Sequence, residues 1–253
     1  MHFHILESGS KGNCTIVSSN NHYLVIDDGI SNRKLESKLK ELNIQKTSLG
    51  AVLVTHAHSD HIAGIKSFDT EIIYATEGCS KEGKLDIKEE NYLIPFEEYD
   101  LETFHITVLP TSHDALGSIG FIIESNEEKL VYITDTGYIY EKVIDMISNA
   151  DYYIFESNHN VRMQIESNRP QYLKQRIMGD EGHLSNYDSA QYICDVIGNK
   201  TKEIILAHIS EDANTPEQAL LDYQNVFEER GYDVGDYRIV CASQHDTVSG
   251  GKL

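Results

Sequence analysis

The chain has 253 residues, and its 41 acidic against 21 basic residues give a formal net charge of −20 at pH 7. Hydrophobic residues make up 40% of the sequence, enough for a substantial core, yet no stretch approaches the roughly 18 uninterrupted apolar residues of a membrane span. The start of the chain has no basic segment followed by a long apolar run, and the four cysteines show no paired spacing, so we expect a cytoplasmic protein with reduced thiols. The acidic charge disfavours nonspecific binding to nucleic acid, although bound divalent cations would reverse its sign locally.

The predicted elements are strands with helices inserted at intervals. Short runs rich in Ile, Val and Tyr predict strands at about residues 2–6, 15–18, 22–27, 51–54, 71–75, 106–109, 119–124, 129–134, 151–155, 203–208 and 237–242. Helix starts are predicted at Ser31, Ser185 and Thr215, and a further helix over residues 138–149. Because strands cluster early in each half and a helix follows, we expect two similar halves that pack sheet to sheet with the helices outside.

The segment THAHSDH at residues 55–61 is the strongest functional signal. It places four strong metal ligands within six residues, directly after an apolar run that reads as a buried strand. His56 and His58 can face the same way from an extended segment, whereas Asp60 and His61 turn toward a second position. This arrangement is typical of a two-metal site, and paired metals hydrolyse phosphoesters, amides or esters.

Other polar residues that could reach the same site follow predicted strands. His113, Asp135 and His208 each come just where an apolar run ends. His183 lies in the segment GHLSN, which precedes a predicted helix. One histidine after a strand is weak evidence, but the repetition of this pattern alongside the 55–61 loop favours one shared site in loops at strand ends.

In these motifs the sequence resembles the metallo-β-lactamase superfamily, and within it the WalJ/YycJ branch. The resemblance spans almost the whole chain and is carried by the 55–61 loop together with SGSKGNC (8–14), SHDA (112–115), TDTGY (134–138), ESNH (156–159), GHLSN (182–186) and AHIS (207–210). It implies one α+β domain over residues 1–253 with the four-layer αββα sandwich of this superfamily. Two residues depart from the branch: Asn160 stands where Asp is expected, and Asp28 stands where a small residue is usual.

The resemblance also implies how ligands divide between two divalent metal ions. Seven residues would bind them: His56, His58 and His113 the first, Asp60, His61 and His208 the second, and Asp135 both. Asp27 would orient the histidine loop through hydrogen bonds. Histidines with a bridging carboxylate suit Zn²⁺ best, and Mn²⁺ or Fe²⁺ also fit because oxygen ligands contribute.

The expected chemistry is phosphodiester hydrolysis. Metals about 3.5–4 Å apart would hold a bridging hydroxide as the nucleophile, and Asp60 could accept a hydrogen bond from it. The resemblance points to His183 as the general acid for the leaving group, although His183 could instead only cap the following helix. The WalJ/YycJ branch implies 5′-to-3′ exonuclease activity on DNA. No long insertion separates Asp135 from His208, so DNA would have to be held by short loops or by a partner subunit in a homodimer.

Six residues are candidates for substrate contact: Ser10, Asn13, Asn158, His159, Ser185 and Asn186. Backbone N–H groups of the loop at 8–13 could approach a phosphate, but this loop could also be only a tight hairpin between the first two strands. His159 could equally be a buried hydrogen-bonding residue. The stretch 155–186 is neutral within an acidic chain, and it could guide a nucleic-acid strand or be a solvated helical face.

Other functions are compatible with the same ligand set. They are a small-molecule (cyclic) phosphodiesterase and a thioester or lactone hydrolase of the same fold. A true β-lactamase is disfavoured, because those enzymes have Cys at the position of Asp135 and are exported. A non-catalytic binding module is disfavoured as well, because it would be expected to have lost ligands and all seven are present.

Overall fold

The computed structural model describes residues 1–252 and contains two β-sheets flanked by helices. The strands of the first sheet are β1 (His2–Glu7), β2 (Cys14–Ser19), β3 (His22–Ile26), β4 (Leu49–Leu53), β5 (Ile73–Tyr74) and β13 (Val248–Gly251). They lie in the order β13-β1-β2-β3-β4-β5. The pairs from β13 to β3 are antiparallel, whereas β3, β4 and β5 are parallel.

The second sheet has seven strands and is also mixed. They are β6 (Glu98–Leu101), β7 (Phe104–Pro110), β8 (Ile119–Ser125), β9 (Glu128–Ile133), β10 (Tyr152–Glu156), β11 (Glu203–Ala207) and β12 (Arg238–Cys241). Their order is β12-β11-β10-β9-β8-β7-β6, with β6 to β9 antiparallel and β9 to β12 parallel. The carboxyl ends of the parallel strands meet at one edge, and so do the residues that follow them.

Eight α-helices connect the strands within residues 1–252. They are α1 (Asn32–Glu41), α2 (Ser59–Ile62), α3 (Glu77–Gly83), α4 (Glu141–Ile147), α5 (Val161–Glu166), α6 (Gln171–Ile177), α7 (Asn186–Val196) and α8 (Pro216–Arg230). The predicted caps are confirmed: the side chains of Ser31, Ser185 and Thr215 each accept a hydrogen bond from the backbone N–H three residues further on. No helix in the described chain is long and apolar enough to cross a membrane.

Three apolar clusters hold the elements in four layers. The central cluster lies between the sheets and joins Phe3 of β1 to Phe121 and Ile154 of the second sheet. A second cluster packs the outer face of that sheet against α4, α7 and α8, and a third packs the outer face of the first sheet against α1 and α3. Each sheet therefore buries one face against the other sheet and one against helices, which confirms the predicted αββα sandwich.

Several elements lack a clear sequence signal. β13 has the sequence VSGG, whose glycines weaken a strand pattern, and it forms because it pairs with β1. α5 and α6 are short, lie on either side of Pro170, and show no long apolar period. The strand predicted at 71–75 is reduced to two residues, because Asp69 caps a 3₁₀ turn over Thr70–Ile72.

Candidate metal centre

The 55–61 loop follows β4 and changes direction at its centre. His58 is the N-cap of the short helix α2, so Asp60 and His61 lie on a helical turn while His56 precedes it. His56 and His61 are fully buried, and His58 and Asp60 are partly exposed. The loop thus presents side chains in two directions, which two neighbouring cations would require.

Asp27 holds this loop in place. Its carboxylate accepts hydrogen bonds from the amide and the hydroxyl of Thr55, both at 2.8 Å, and from Nδ1 of His61 at 2.7 Å. Asp27, Thr55 and His61 are all buried. The contact with Nδ1 fixes the imidazole ring and directs Nε2 of His61 toward the other candidate ligands. These contacts fit the orienting role expected of Asp27.

Although they are far apart in the sequence, the candidate ligands form overlapping groups, and two of these groups have no residue in common. In each group the donor atoms lie within 4.8 Å of one another: His56, His58 and His113 in one, and Asp60, His61 and His208 in the other. In the first group, Nδ1 of His58 is 3.1 Å from Nε2 of His56 and 3.2 Å from Nε2 of His113. Nitrogen ligands of one tetrahedral zinc ion are roughly 3.3 Å apart, so these separations fit a shared cation.

Asp135 lies between the two groups. Its Oδ2 is 3.3 Å from Nε2 of His61, and its Oδ1 is 3.9 Å from Nε2 of His113 and 3.2 Å from Nδ1 of His208. Within the described chain, Oδ2 of Asp135 and Nε2 of His208 are buried polar atoms without a hydrogen-bond partner. Such atoms are costly unless something binds them, so these residues fit a divalent-metal site.

The carboxylates of the site favour positive charge at its centre. Burial alone would lower the pKa of His208, but Asp135 and Glu156 outweigh burial and raise the pKa to about 9. Burial would also lower the pKa of His61, yet Asp27 and Asp135 raise it well above its usual value. A divalent cation would benefit from the same attraction and would release these protons on binding.

Three residues of the site have left-handed backbone conformations. The φ angles of Asp27, Asp135 and His208 are 57°, 57° and 55°, and each residue comes at or just after the end of a strand. A non-glycine residue in this conformation costs about 1–2 kcal/mol. Such strain is concentrated at functional sites, where the surrounding structure enforces it.

Glu156 is a site residue that sequence reasoning misses. It ends β10 and is fully buried. Its Oε1 accepts hydrogen bonds from Nδ1 of His183 at 2.8 Å and from Nδ1 of His208 at 2.9 Å, while Oε2 accepts from the amides of Thr136 and Leu184. Glu156 could have been found by the pattern that points to Asp135 and His208, because it is also a polar residue at the end of an apolar strand.

The charge of Glu156 is strongly favoured. Burial alone would raise the pKa of Glu156, but the attraction of His183 and the hydrogen bonds from both histidines outweigh it and hold the pKa at about 2. Glu156 is therefore an anion at neutral pH. It fixes the ring of His183 through Nδ1.

Glu156→Gln should lower activity or metal affinity about 10- to 100-fold, because Glu156 orients both histidines. The substitution replaces one carboxylate oxygen by an NH₂ group, which cannot accept a hydrogen bond. In one orientation the bonds from the two histidines are lost, and in the other the bonds from the Thr136 and Leu184 amides are lost. The affinity can be measured by competition with a chelating dye. The matched control is Glu128→Gln, which removes a carboxylate bonded to Tyr152 at the opposite end of β10. Unchanged metal affinity and activity in Glu156→Gln would contradict the orienting role.

The loop at 8–13 packs against the metal centre through Asn13. Oδ1 of Asn13 accepts from the Gly9 amide at 2.8 Å, and the backbone amide of Asn13 donates to the carbonyl of Asp60 at 2.8 Å. Asn13 is buried, whereas Ser10 is exposed at the tip of the loop. Asn13 therefore braces a candidate ligand, and substrate contact stays a prediction for both residues.

Four further candidates for substrate contact, Asn158, His159, Ser185 and Asn186, are at most 4% exposed. Nδ2 of Asn158 donates to the carbonyl of His208 at 2.8 Å, and Oγ of Ser185 caps α7. The side-chain amide of Asn186 bonds at both atoms to other protein groups. These contacts favour a role in holding the loops of His183 and His208, and substrate contact stays a prediction.

Asp28 is a buried carboxylate next to Asp27. It is 0% exposed, and neither of its oxygens has a hydrogen-bond partner of normal geometry within the described chain. Burial raises the pKa of Asp28 to about 7, and the opposing effects of Lys46 and the Ile30 amide offset only part of that shift. The folded state therefore binds a proton that the unfolded state releases at neutral pH.

Asp28→Asn should stabilise the protein, and more strongly at high pH. Because the folded-state pKa is raised, Asp28 reduces stability progressively as pH rises from about 4 to about 7. The gain in free energy of unfolding should thus be about 2–3 kcal/mol larger near pH 8 than near pH 5. Urea denaturation with a chelator present measures this difference, and the exposed Asp145→Asn serves as control. An equal effect of Asp28→Asn at both pH values would contradict the prediction.

The fold and the His/Asp cluster define the class of the protein, a metal-dependent hydrolase. Residues 22–209 match the family described as the beta-lactamase superfamily domain. That match covers more than half of the chain and includes all seven candidate ligands. The chain therefore belongs to the β-lactamase superfamily.

Individual relatives show which members of the superfamily the chain is similar to. The chain is 35% identical to exodeoxyribonuclease YycJ of Bacillus anthracis over 245 residues, which cover 93% of this chain and 92% of the relative. It is 32% identical to exodeoxyribonuclease WalJ of Streptococcus pneumoniae serotype 2 (strain D39 / NCTC 7466) over 257 residues, which cover 95% and 94%. The crystal structure of the metallo-beta-lactamase fold protein YhfI from Bacillus subtilis superposes with a TM-score of 0.71 at 17% identity, covering 98% of this chain and 99% of that one. The predicted resemblance is confirmed, and the likeness to YhfI concerns the fold alone.

Proposed function

We propose that this hydrolase cleaves phosphodiester bonds of DNA as an exonuclease that proceeds from the 5′ end toward the 3′ end. The observation that carries the proposal is the His183–Glu156 pair beside the His/Asp cluster. An alkoxide leaving group needs a proton, and a histidine held by a carboxylate is suited to donate it. The relatives of nearly equal length are named exodeoxyribonucleases, which supports DNA as the substrate.

We infer that the cluster holds two divalent metal ions. The donor set of imidazole nitrogens and carboxylate oxygens favours Zn²⁺, and Mn²⁺ or Fe²⁺ are the alternatives. When bound, such ions supply a nucleophile from water at neutral pH and neutralise charge on the phosphate. The two groups of candidate ligands and the position of Asp135 between them support two ions rather than one.

His183 acts as the general acid in this proposal. Nδ1 donates to Glu156, so Nε2 carries the second proton of the imidazolium and can transfer it to the leaving oxygen. The side chain is 17% exposed and its Nδ1 is 3.6 Å from Oδ1 of Asp135, which places the ring beside the cluster but within reach of a substrate. Glu156 then stabilises the charged ring and does not itself give up a proton.

Asp60 orients the attacking water in the same scheme. Its carboxylate is partly exposed, and its Oδ2 is 3.7 Å from Nε2 of His61 and 3.9 Å from Nε2 of His208. An oxygen at this edge of the cluster can accept a hydrogen bond from water while the other carboxylate oxygen faces the ligands. Asp60 thus joins the candidate ligands to the approaching nucleophile.

The test uses purified protein reconstituted with Zn²⁺ or Mn²⁺. Single- and double-stranded DNA carrying a label at the 5′ or the 3′ end, and an aryl phosphodiester, are assayed together. We expect release of the 5′-labelled nucleotide first, and stepwise shortening of the 3′-labelled strand. Metal content is measured by elemental analysis of the same samples.

The outcomes separate the parts of the proposal. Cleavage of the aryl phosphodiester without any DNA degradation would contradict the exonuclease but keep the phosphodiesterase. Release of the 3′ label first would show that cleavage starts at the 3′ end and would contradict the proposed direction. Protein that binds no metal after reconstitution would contradict the proposal as a whole.

A further inference from the structure

Helix α6 has a basic residue near each end, and each of the two pairs with an acidic residue close in sequence to a candidate ligand. Arg176, near its C-terminal end, pairs through Nε with Asp114, the residue after His113. Arg169, just before its N-terminal end, pairs through Nη2 with Asp212 at 2.9 Å, in the loop after β11. A helix of this length is about 10 Å long, so the two cations lie at separate points, one beside the loop of His113 and one beside the loop of His208.

A third basic residue lies on the adjacent loop. Nζ of Lys11 is 2.5 Å from Oε2 of Glu211, the neighbour of Asp212. Lys11 belongs to the 8–13 loop, which Asn13 braces against the metal centre. Lys11, Arg169 and Arg176, called the basic rim below, thus come from two segments that border the site.

The ion pairs of the basic rim can be exchanged for phosphate. Exposed ion pairs contribute little to stability, and the side chains of Lys11 and Arg176 are 63% and 52% exposed. The side chain of Arg169 is only 19% exposed and also donates to Gln164, but its partner Asp212 is 70% exposed. Within residues 1–252, Arg176 bonds to Asp114 through Nε alone. Both terminal nitrogens of its guanidinium group are therefore left for another acceptor. Guanidinium groups bind phosphate oxygens through paired, charge-assisted hydrogen bonds.

An exposed aromatic residue shares a face of α6 with Arg176. Tyr172 precedes Arg176 by four residues, and side chains four apart project from the same face of a helix. The side chain of Tyr172 is 72% exposed. Cations that follow a backbone and an aromatic ring on which bases stack are the two components of single-strand binding surfaces.

We propose that the basic rim and Tyr172 bind a single-stranded nucleic-acid segment beside the scissile phosphate. Substrate phosphates replace Asp114, Glu211 and Asp212 as partners of the three cations, and a base stacks on Tyr172. The proposal rests on the proposed nuclease function and adds a substrate class to it, namely polymers with unpaired ends in preference to small phosphodiesters.

The test is binding of a fluorescent single-stranded oligonucleotide with phosphorothioate linkages to the metal-reconstituted protein. Lys11→Gln, Arg169→Gln and Arg176→Gln should each weaken binding about three- to tenfold and reduce the slope of log Kd against log salt concentration by about 0.7. Tyr172→Leu should weaken binding without changing the slope. Glu211→Gln and Asp212→Asn should strengthen binding, because each frees a cation. In cleavage assays, the cation variants should lose more kcat/KM on the oligonucleotide than on the aryl phosphodiester.

The matched control is Arg230→Gln, which removes an Arg–Asp ion pair between α8 and α7 that lies outside the rim. It should leave binding unchanged. If the wild type degrades DNA but the rim variants behave like this control, the basic rim is wrong and the nuclease stands. If the acid variants weaken binding as the cation variants do, the ion pairs have a structural role, and the proposed binding by the basic rim is contradicted. If the wild type degrades no DNA, the nuclease is wrong, and oligonucleotide binding alone decides on the rim.

Discussion

Asp135→Ala should lower hydrolysis about 10³-fold or more and should reduce the metal content of the purified protein. Asp135 is the carboxylate between the two ligand groups, with oxygens 3.3 Å from His61 and 3.2 Å from His208. Its removal leaves these histidines without the anion that favours a cation beside them. Initial rates on an aryl phosphodiester and elemental analysis of metal per chain measure the two effects separately.

Asp151→Ala is the matched control for this substitution. Asp151 is also a buried aspartate of the second sheet, but it lies before β10, at the opposite end of the strands, where it accepts a hydrogen bond from the Lys129 amide at 2.9 Å. Asp151→Ala should lower stability and keep the metal content. Full metal content together with unchanged rates in Asp135→Ala would show that Asp135 has no part in the site.

His183→Ala should slow the hydrolysis of substrates with poor leaving groups about 10²- to 10⁴-fold. Its effect on an activated aryl phosphodiester should be much smaller, because a nitrophenolate leaves without protonation. The ratio of the two losses distinguishes a proton donor from a residue that only supports the loop. Rates of dinucleotide and aryl phosphodiester cleavage by the same preparation provide that ratio.

His105→Ala is the control for His183→Ala. His105 bonds to Asp100 through Nδ1 at 2.8 Å, the same separation as between His183 and Glu156, but on the exposed edge of the second sheet. The control should change neither rate. Equal losses on both substrates in His183→Ala would contradict the assignment as general acid and would leave a structural role for the residue.

The sequence is informative wherever one local pattern decides the outcome. Apolar runs that end in a histidine or aspartate predict both a strand and the residue at its carboxyl end, and His113, Asp135 and His208 follow this rule. The helix caps at Ser31, Ser185 and Thr215 are equally local, since each needs only one side chain and the next three residues. Fold and candidate site could therefore be predicted largely from these short motifs and their resemblance to a superfamily.

Contacts between distant segments are not visible in such patterns. Glu156 follows the same strand-end rule, yet its role depends on His183 and His208, which reach it only after β10 and β11 pair. Asn186, in the GHLSN segment with His183, is one of the candidates for substrate contact. In the structure it is buried by the packing of α7 against α8, where it bonds to Asp222 at 2.8 Å. Helix α6 is short and has no long apolar period of its own.

The division of the candidate ligands between the two sheets has a consequence for unfolding. The 55–61 loop follows β4 of the first sheet, whereas His113, Asp135 and His208 follow β7, β9 and β11 of the second. A cation held by residues of both sheets would add a link between the two sheets. Like a disulfide, it would restrict the freedom of the unfolded chain over a long loop. Loss of metal should then loosen the packing between the two sheets before either sheet unfolds. Hydrogen exchange should therefore increase first where the two sheets meet.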